Sequence, residues 1–316
     1  MNSLKPGREV VVAGVGLHPF GRFRDKDITA LSLVAVVESL RDASLTWKDI
    51  QVAYFGHVYF QGMSLGETSL NKLGLTGIPV INVENACSSG STAFWQAYWG
   101  ITSGVFDVAL AFGAEKVPGG PVSVTPEDSP ERYIGGDHMM AGYALRSRRY
   151  MQETGATAES LAQVTVKARQ NASLNPFAHR KQLYTVEEVL NSKLIADPLT
   201  LFQCCPTSEG AAAAVLCAKD QLGKYKINPK RCINIAASTL TSGTYNGHGS
   251  DHSAFSPYRT EPAALQAYEM SGIGPEDVDL VQVHDAATIG ELQQLESMHL
   301  VPFGEAWQAT LDGRTS

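Results

Sequence analysis

The sequence predicts an α/β fold of layered sheet and helices, built as two similar halves. Three observations predict it. Short apolar runs alternate with longer amphipathic stretches from Val10 to Ala114. One of those runs stops at a cysteine that opens a helical pattern. The same strand–helix rhythm starts again after Cys232, a weak internal repeat.

Each element has its own signal. Val10 to Val15 is a short apolar run closed by Gly16-Leu17, which reads as a buried strand. Asp27 to Ala43 reads as a helix with Ile28, Leu31, Leu33, Val34, Val37 and Leu40 on its apolar face. Val52 to Tyr59 is the second strand, Leu65 to Leu75 a helix, and Ile78 to Val83 the third strand. A helix following Cys87 runs to about Ser103, and Val105 to Ala114 is a fourth strand. Prolines, glycines and charges make Val117 to Tyr133 a loop. Met139 to Thr154 and Ala158 to Ala172 are helical, Val186 to Leu190 is a short helix, and Asp197-Pro198 is a stop. Gly210 to Leu216 leads small residues into an apolar run, a tightly packed strand returning to the first sheet. Strands over Cys232 to Thr239 and Val278 to His284, with helices over Pro262 to Ser271 and Ile289 to Met298, restart the rhythm.

Composition bounds the class. The chain has 316 residues, 44% hydrophobic and 18% charged, with a formal net charge of −7. That suits a well-buried globular protein, and the absence of a basic block leaves nucleic-acid binding unsupported. No apolar run reaches membrane-spanning length. The start passes from Lys5, Arg8 and Glu9 straight into a strand, so no signal peptide is read and a cytoplasmic location is expected. Five cysteines form no disulfide framework, and the adjacent Cys204 and Cys205 suit neither a disulfide nor a metal pair. Gly14 and Gly16 give two glycines of a dinucleotide fingerprint, but Pro19 stands at the third and the next strand begins only at Val52, so NAD binding is rejected.

Chemistry concentrates at Asn85-Ala86-Cys87-Ser88-Ser89-Gly90. The thiol falls at or near a helix N-terminus, where free N–H groups and the helix dipole favour negative charge on sulfur. Small flanking residues let a substrate approach. Nucleophilic catalysis with an acyl group carried on sulfur is the use this arrangement fits. The competing reading is a buried structural thiol. His284 ends a predicted strand, where α/β sites gather, against the alternative of a histidine bonded to backbone there. Asp285 is read as fixing the local turn or capping the next helix. Cys204, Cys205, Cys217 and Cys232 are read as core thiols. His248 and His252 lie in a Gly/Ser-rich stretch that reads first as a solvated loop.

Together these segments resemble the thiolase superfamily, above all the sterol-carrier-protein-type thiolases and the bacterial and archaeal thiolase-like acetyl-CoA acetyltransferases. The carriers are the Cys87 motif, the run Ala196-Asp197-Pro198-Leu199-Thr200-Leu201 with Cys204 to Ala213, and Val283-His284-Asp285-Ala286-Ala287-Thr288-Ile289 with Glu291-Leu292. The resemblance implies a thiolase-like layered αβαβα fold of two pseudo-repeated halves, the second incomplete. It divides the chain into an N-terminal half (1–116 with 204–222), a loop domain covering the active site (117–203) and a partial C-terminal half (223–316). It implies a transferase: Cys87 as nucleophile, His284 in an oxyanion pocket, and His138, Met139, Met140 and His248 as substrate-binding residues. No metal and no permanently bound cofactor are implied; coenzyme A is a substrate. Acyl-CoA is the small-molecule partner. A homodimer is expected through the edge strand next to the nucleophile, with Val105 to Ala111 as candidate. An OB-fold/zinc-ribbon partner protein is a further implication.

The sequence departs from the family in two places. Ala286-Ala287 replace a Cys-Phe pair, and the later Gly-His-Pro and Cys-x-Gly elements do not occur before Ser316. The native chain is therefore expected to continue past residue 316, or to be a short paralogue that a partner completes. Three functions follow: CoA-dependent acyl transfer through a cysteine acyl-enzyme (3-ketoacyl-CoA thiolysis or its reverse, in lipid metabolism); a thiolase-fold retro-aldolase acting on steroid side-chain CoA esters with an OB-fold partner; or a non-catalytic thiolase-like subunit.

Overall fold

The computed structural model describes residues 7–59, 61–119, 128–134, 136–243 and 260–316. In chain order the elements are β1 (Val10–Gly21), α1 (Ile28–Asp42), β2 (Val52–Gly56), α2 (Leu65–Leu70), β3 (Val80–Val83), α3 (Ser89–Thr102) and β4 (Val108–Lys116). Then come α4 (Pro130–Tyr133), α5 (Met139–Thr154), α6 (Ala158–Leu174), α7 (Val186–Leu190), β5 (Leu194–Ala196), β6 (Leu199–Thr200) and β7 (Glu209–Ala218). The last are β8 (Ile233–Asn234), α8 (Glu261–Ser271), α9 (Ile289–Ser297) and α10 (Ala306–Leu311). The chain divides into two compact units. One takes the residues up to Pro118 with Phe177–His179 and Thr207–Leu240; the other takes Gly119–Pro176, Arg180–Pro206 and Thr241–Ser316.

The first unit is a six-stranded mixed sheet in the order β3-β2-β4-β7-β1-β8. β2 runs parallel to β3 and β4, and β7 lies antiparallel between β4 and β1. The two-residue side-chain period sorts each strand between faces. Phe55, Leu110, Phe112 and Val215 enter one core with Leu31, Ala35 and Val36 of α1. Each of these, fully buried, contributes roughly 1.5–3 kcal/mol if large and aliphatic or aromatic. The start of α1 follows from Asp27, whose carboxylate accepts from the Ala30 N–H at 2.7 Å and the Thr29 hydroxyl at 2.7 Å.

The small-residue run of β7 matches its place between two strands, with Ala211, Ala213, Val215 and Cys217 buried. At its head, buried Glu209 accepts from the Phe23 N–H at 2.7 Å and pairs with Lys116 at 3.1 Å and Arg22 at 3.5 Å. Burial pushes the Glu209 pKa up, but that N–H and the two cations outweigh it and leave the carboxylate below its ordinary range.

The second unit has its own core. Tyr143, Ala144 and Tyr150 of α5 and Leu161 and Val164 of α6 pack with Ile289, Leu292 and Leu295 of α9 and Ala306 and Ala309 of α10. Thr185 caps α7, its hydroxyl accepting from the Glu188 N–H at 3.1 Å, and the Glu188 carboxylate accepts from the Thr185 N–H at 2.7 Å. A short β5–β6 hairpin follows.

The α/β class stands as the sequence predicts it, with four corrections. Only Ile233–Asn234 of the strand expected over 232–239 forms, and it pairs with β1 rather than opening a second sheet. Val278 to His284 takes no strand pairing among the described residues, and Leu280 is 81% exposed. Apolar alternation alone does not make a strand; the ladder needs a neighbour. Val105 to Ala111 cannot extend the sheet outward, because β4 is flanked on both sides by β2 and β7. The outer strand beside the nucleophile is β3. Finally, α10 has no counterpart among the expected elements.

Candidate active site

In the first unit Gly56, the last residue of β2, faces Gly113 of the parallel strand β4 in register. A Cβ on Gly56 would stand 2.6 Å from the Ser89 carbonyl carbon and 2.7 Å from the Gly90 nitrogen. Only a glycine lets the first turn of α3 sit that close to the strand. The turn leading into α3 is built from its own small polar residues. The Ser89 hydroxyl accepts from the Asn85 N–H at 2.8 Å and donates to the Ala86 carbonyl at 2.7 Å. The Asn85 side-chain amide donates to the Thr92 hydroxyl at 2.9 Å. Ala86 is left-handed at φ +46°, a conformation that costs a non-glycine residue on the order of 1 kcal/mol or more. That strained residue directly precedes Cys87.

Cys87 therefore lies one residue ahead of the Ser88 cap of α3, and it is exposed. None of the five cysteines, all of them described residues, is in a disulfide. Burial pushes Cys204 up to about 11 and Cys217 up to about 12, and it raises Cys232 as well. These three are thiols at neutral pH. Cys205 corrects its expected core placement, being exposed. No group of His, Cys, Asp or Glu among the described residues could hold a metal.

His57 was not singled out by sequence. It directly follows β2, its N–H donates to the Val83 carbonyl at 3.2 Å, and its ring stacks on Phe55 at 5.2 Å.

The second unit holds His284, also exposed, on the segment entering α9. The residues after it are anchored to the chain around Cys204. The Cys205 N–H donates to the Ala286 carbonyl at 2.9 Å, and the Thr288 N–H donates to the Gln203 carbonyl at 3.1 Å. Two of the three segments that carry the family resemblance are thus bonded backbone to backbone. Among the described residues, the His284 backbone is bonded by the Gln294 side chain. The Gln294 Oε1 accepts the His284 N–H at 3.1 Å, and the Gln294 Nε2 donates to the carbonyls of His284 and of Gly290, the latter at 3.0 Å.

Asp285 does not cap α9, because Thr288 occupies that position. Desolvation raises its pKa above the ordinary carboxylate range, against its own N–H and the nearby Lys167 and Arg169. Beneath it Lys167 and Glu291 form a buried ion pair, with further Lys167 bonds to the Thr315 carbonyl at 2.8 Å and hydroxyl at 3.0 Å. Burial raises Glu291 despite that partner.

His138, Met139 and Met140 come together where α5 begins, in the same unit as His284. His138 is exposed, 4.0 Å from buried Asp137, and both methionines are half-buried against the second core. His248 and His252 lie outside the described residues. No helix among the described residues is long and apolar enough to cross a membrane.

Known proteins give the context for this geometry. Residues 10–220 match the family model described as thiolase, N-terminal domain, and residues 243–316 match thiolase C-terminal domain-like. The benzoylsuccinyl-CoA thiolase subunit BbsB of Thauera aromatica is 41% identical over 99% of this chain and 81% of its own length. An acetyl-CoA acetyltransferase of Methanothermobacter thermautotrophicus is 35% identical over 98% of this chain and 82% of its own. Among solved structures, the Ltp2-ChsH2(DUF35) aldolase superposes with a TM-score of 0.82 at 24% identity, over 98% of this chain and 81% of that one, a likeness of fold. A family model spanning most of the chain, relatives of this identity and the cysteine turn at the sheet's carboxyl end lead to one conclusion: the chain belongs to the thiolase family of acyltransferases.

Proposed function

We propose that the protein carries out CoA-dependent acyl transfer through an acyl-enzyme on Cys87. The observation that supports this most is the exposed thiol on a strained turn ahead of α3, seated by Gly56 against the carboxyl end of β2. The Cys87 thiolate attacks the C3 carbonyl of a 3-ketoacyl-CoA. The C2–C3 bond then breaks, its electron pair stays with C2, and a proton taken up there yields acetyl-CoA. The thiol of a second coenzyme A attacks the acyl-cysteine and releases the shortened acyl-CoA. Run backwards, the same steps are a Claisen condensation. His284 donates an N–H to the thioester oxygen, and a donor of that kind is worth on the order of 10²–10³ in rate.

The remaining assignments belong to the same reading. Coenzyme A is a substrate, and no cofactor stays bound. His138, Met139, Met140 and His248 contribute to acyl-CoA binding. The chain pairs with a second copy through the outer edge of β3. The relative named as a subunit, and the aldolase solved with ChsH2(DUF35), support a partner protein as well. The relative named for benzoylsuccinyl-CoA makes an aromatic 3-ketoacyl-CoA the first substrate to assay.

The aldolase likeness at a TM-score of 0.82 favours a second reading, retro-aldol cleavage of a CoA ester. Parallel assays separate the two. Thiolysis of 3-ketoacyl-CoA esters that Cys87→Ala reduces by roughly 10³ or more supports acyl transfer. Aldol cleavage that survives Cys87→Ala, with no thiolysis in the wild type, supports the aldolase. Neither activity in the full protein supports a non-catalytic subunit.

A further inference from the structure

Among the described residues, the His284 backbone is bonded to the Gln294 side chain. The segment before it, 278–283, makes no strand pairing among the described residues, and the anchoring bonds to Gln203 and Cys205 begin only at Ala286. Between these, the Gln294 side chain bonds the backbone. A carboxamide carries an acceptor and a donor on one rigid plane, which matches the N–H and C=O of one residue. Gln294 uses both on His284 and spends a second donor on the Gly290 carbonyl, which fixes its own plane to the first turn of α9. Gly290 makes room for this. A Cβ there would lie 2.8 Å from the His284 carbonyl oxygen and 3.7 Å from the Gln294 Nε2. Gln294 is half-buried on α9, between buried Gln293 and Leu295, so its position is set by the core beneath it.

We propose that Gln294 is a positioning residue for the acyl-transfer reaction: it clamps the His284 peptide so that the imidazole meets the thioester oxygen. The inference rests on the oxyanion role given to His284 above. Its consequence is kinetic. A donor displaced by about 1 Å can cost 10²-fold in rate without weakening substrate binding. Loss of the clamp therefore lowers kcat and leaves KM for coenzyme A in place.

The test compares the full-length wild type with Gln294→Leu, Gln294→Glu, His284→Ala and the double variant His284→Ala/Gln294→Leu. Each is assayed for thiolysis, and hydrogen exchange is measured at the His284 amide. Gln294→Leu is expected to lower kcat by about 10- to 100-fold at unchanged KM. It is also expected to speed exchange at His284. Gln294→Glu keeps the acceptor for the His284 N–H and loses both donors. It is expected to fall between wild type and Gln294→Leu in rate while retaining slow exchange. In the His284→Ala background Gln294→Leu is expected to add nothing, because the two act through one group.

The clamp is overturned if His284→Ala loses rate while Gln294→Leu does not, or if Gln294→Leu costs the same in both backgrounds. Should Gln294→Leu not fold, Gln294→Glu decides, since full activity there contradicts the inference. Full activity in His284→Ala instead removes the oxyanion role, and the positioning role with it. Unchanged slow exchange would then show that the clamp exists with nothing to position.

Discussion

At the scale of single residues, thiol chemistry is divided by burial. Half-buried Cys204 and buried Cys217, pushed up to about 11 and about 12, are protonated, whereas Cys87 and Cys205 are exposed. Brief treatment with iodoacetamide near neutral pH is therefore expected to alkylate Cys87 and Cys205 and spare Cys204 and Cys217, as read by peptide mass spectrometry. Substrate acyl-CoA is expected to protect Cys87 alone; protection of Cys205 instead would move the site. Cys87 was legible in sequence because a strand end, a thiol and small helix-forming residues follow one another within a few positions. Cys205 was not, because adjacent cysteines look alike until the chain decides which one faces the core. Gln294 was less legible still. Its partner is ten residues upstream, and only the fold-back of α9 makes them neighbours.

At the scale of elements, local chemistry predicted what local chemistry controls. Asp27 marks the start of α1 and Thr185 that of α7, each through a capping bond that four residues suffice to encode. The face of α1 was less well read. Val34 is 40% exposed, while Ser32 and Ser39 are buried because the close contact of α1 with β1 favours small residues. The strand over 278–284 failed for the opposite reason: pairing depends on a partner that no local pattern contains. The junction of β7, β4 and the end of β1 offers a stability test. Glu209 ties Lys116, Arg22 and the Phe23 N–H together, and Glu209→Gln leaves two cations short of their counter-charge. Both cations keep some contact with water, so the expected loss at neutral pH is about 2 kcal/mol, less than for a fully enclosed pair. The sign with pH follows from the lowered native pKa. The stabilisation is complete above the ordinary value of 4.5 and is lost as the pH falls through the depressed one. Urea melts of wild type and variant should accordingly converge on acidification, and a gap that widens below pH 4.5 would contradict the assignment.

At the scale of the whole molecule, the cysteine turn and the returning strand β7 belong to one compact unit and the histidine segment to the other. The resemblance that identified three separated segments extends to family models over residues 10–220 and 243–316. The division into two units was harder to read from sequence, because Phe177–His179 crosses from its neighbours to join the first unit. There the Phe20 N–H donates to the Phe177 carbonyl at 2.9 Å, and the His179 ring bonds the Ser208 hydroxyl at 2.7 Å. Three residues inside a polar stretch carry no periodic signal of that excursion. The proposed acyl transfer depends on Cys87 forming a covalent acyl intermediate. The most direct measurement is to quench the full-length protein with 3-ketoacyl-CoA before the second coenzyme A is added, then map the adduct by mass spectrometry. An acyl mass on the peptide carrying Cys87, discharged when coenzyme A is supplied, is the predicted result. An adduct on any other residue, or turnover with no adduct at all, would contradict it.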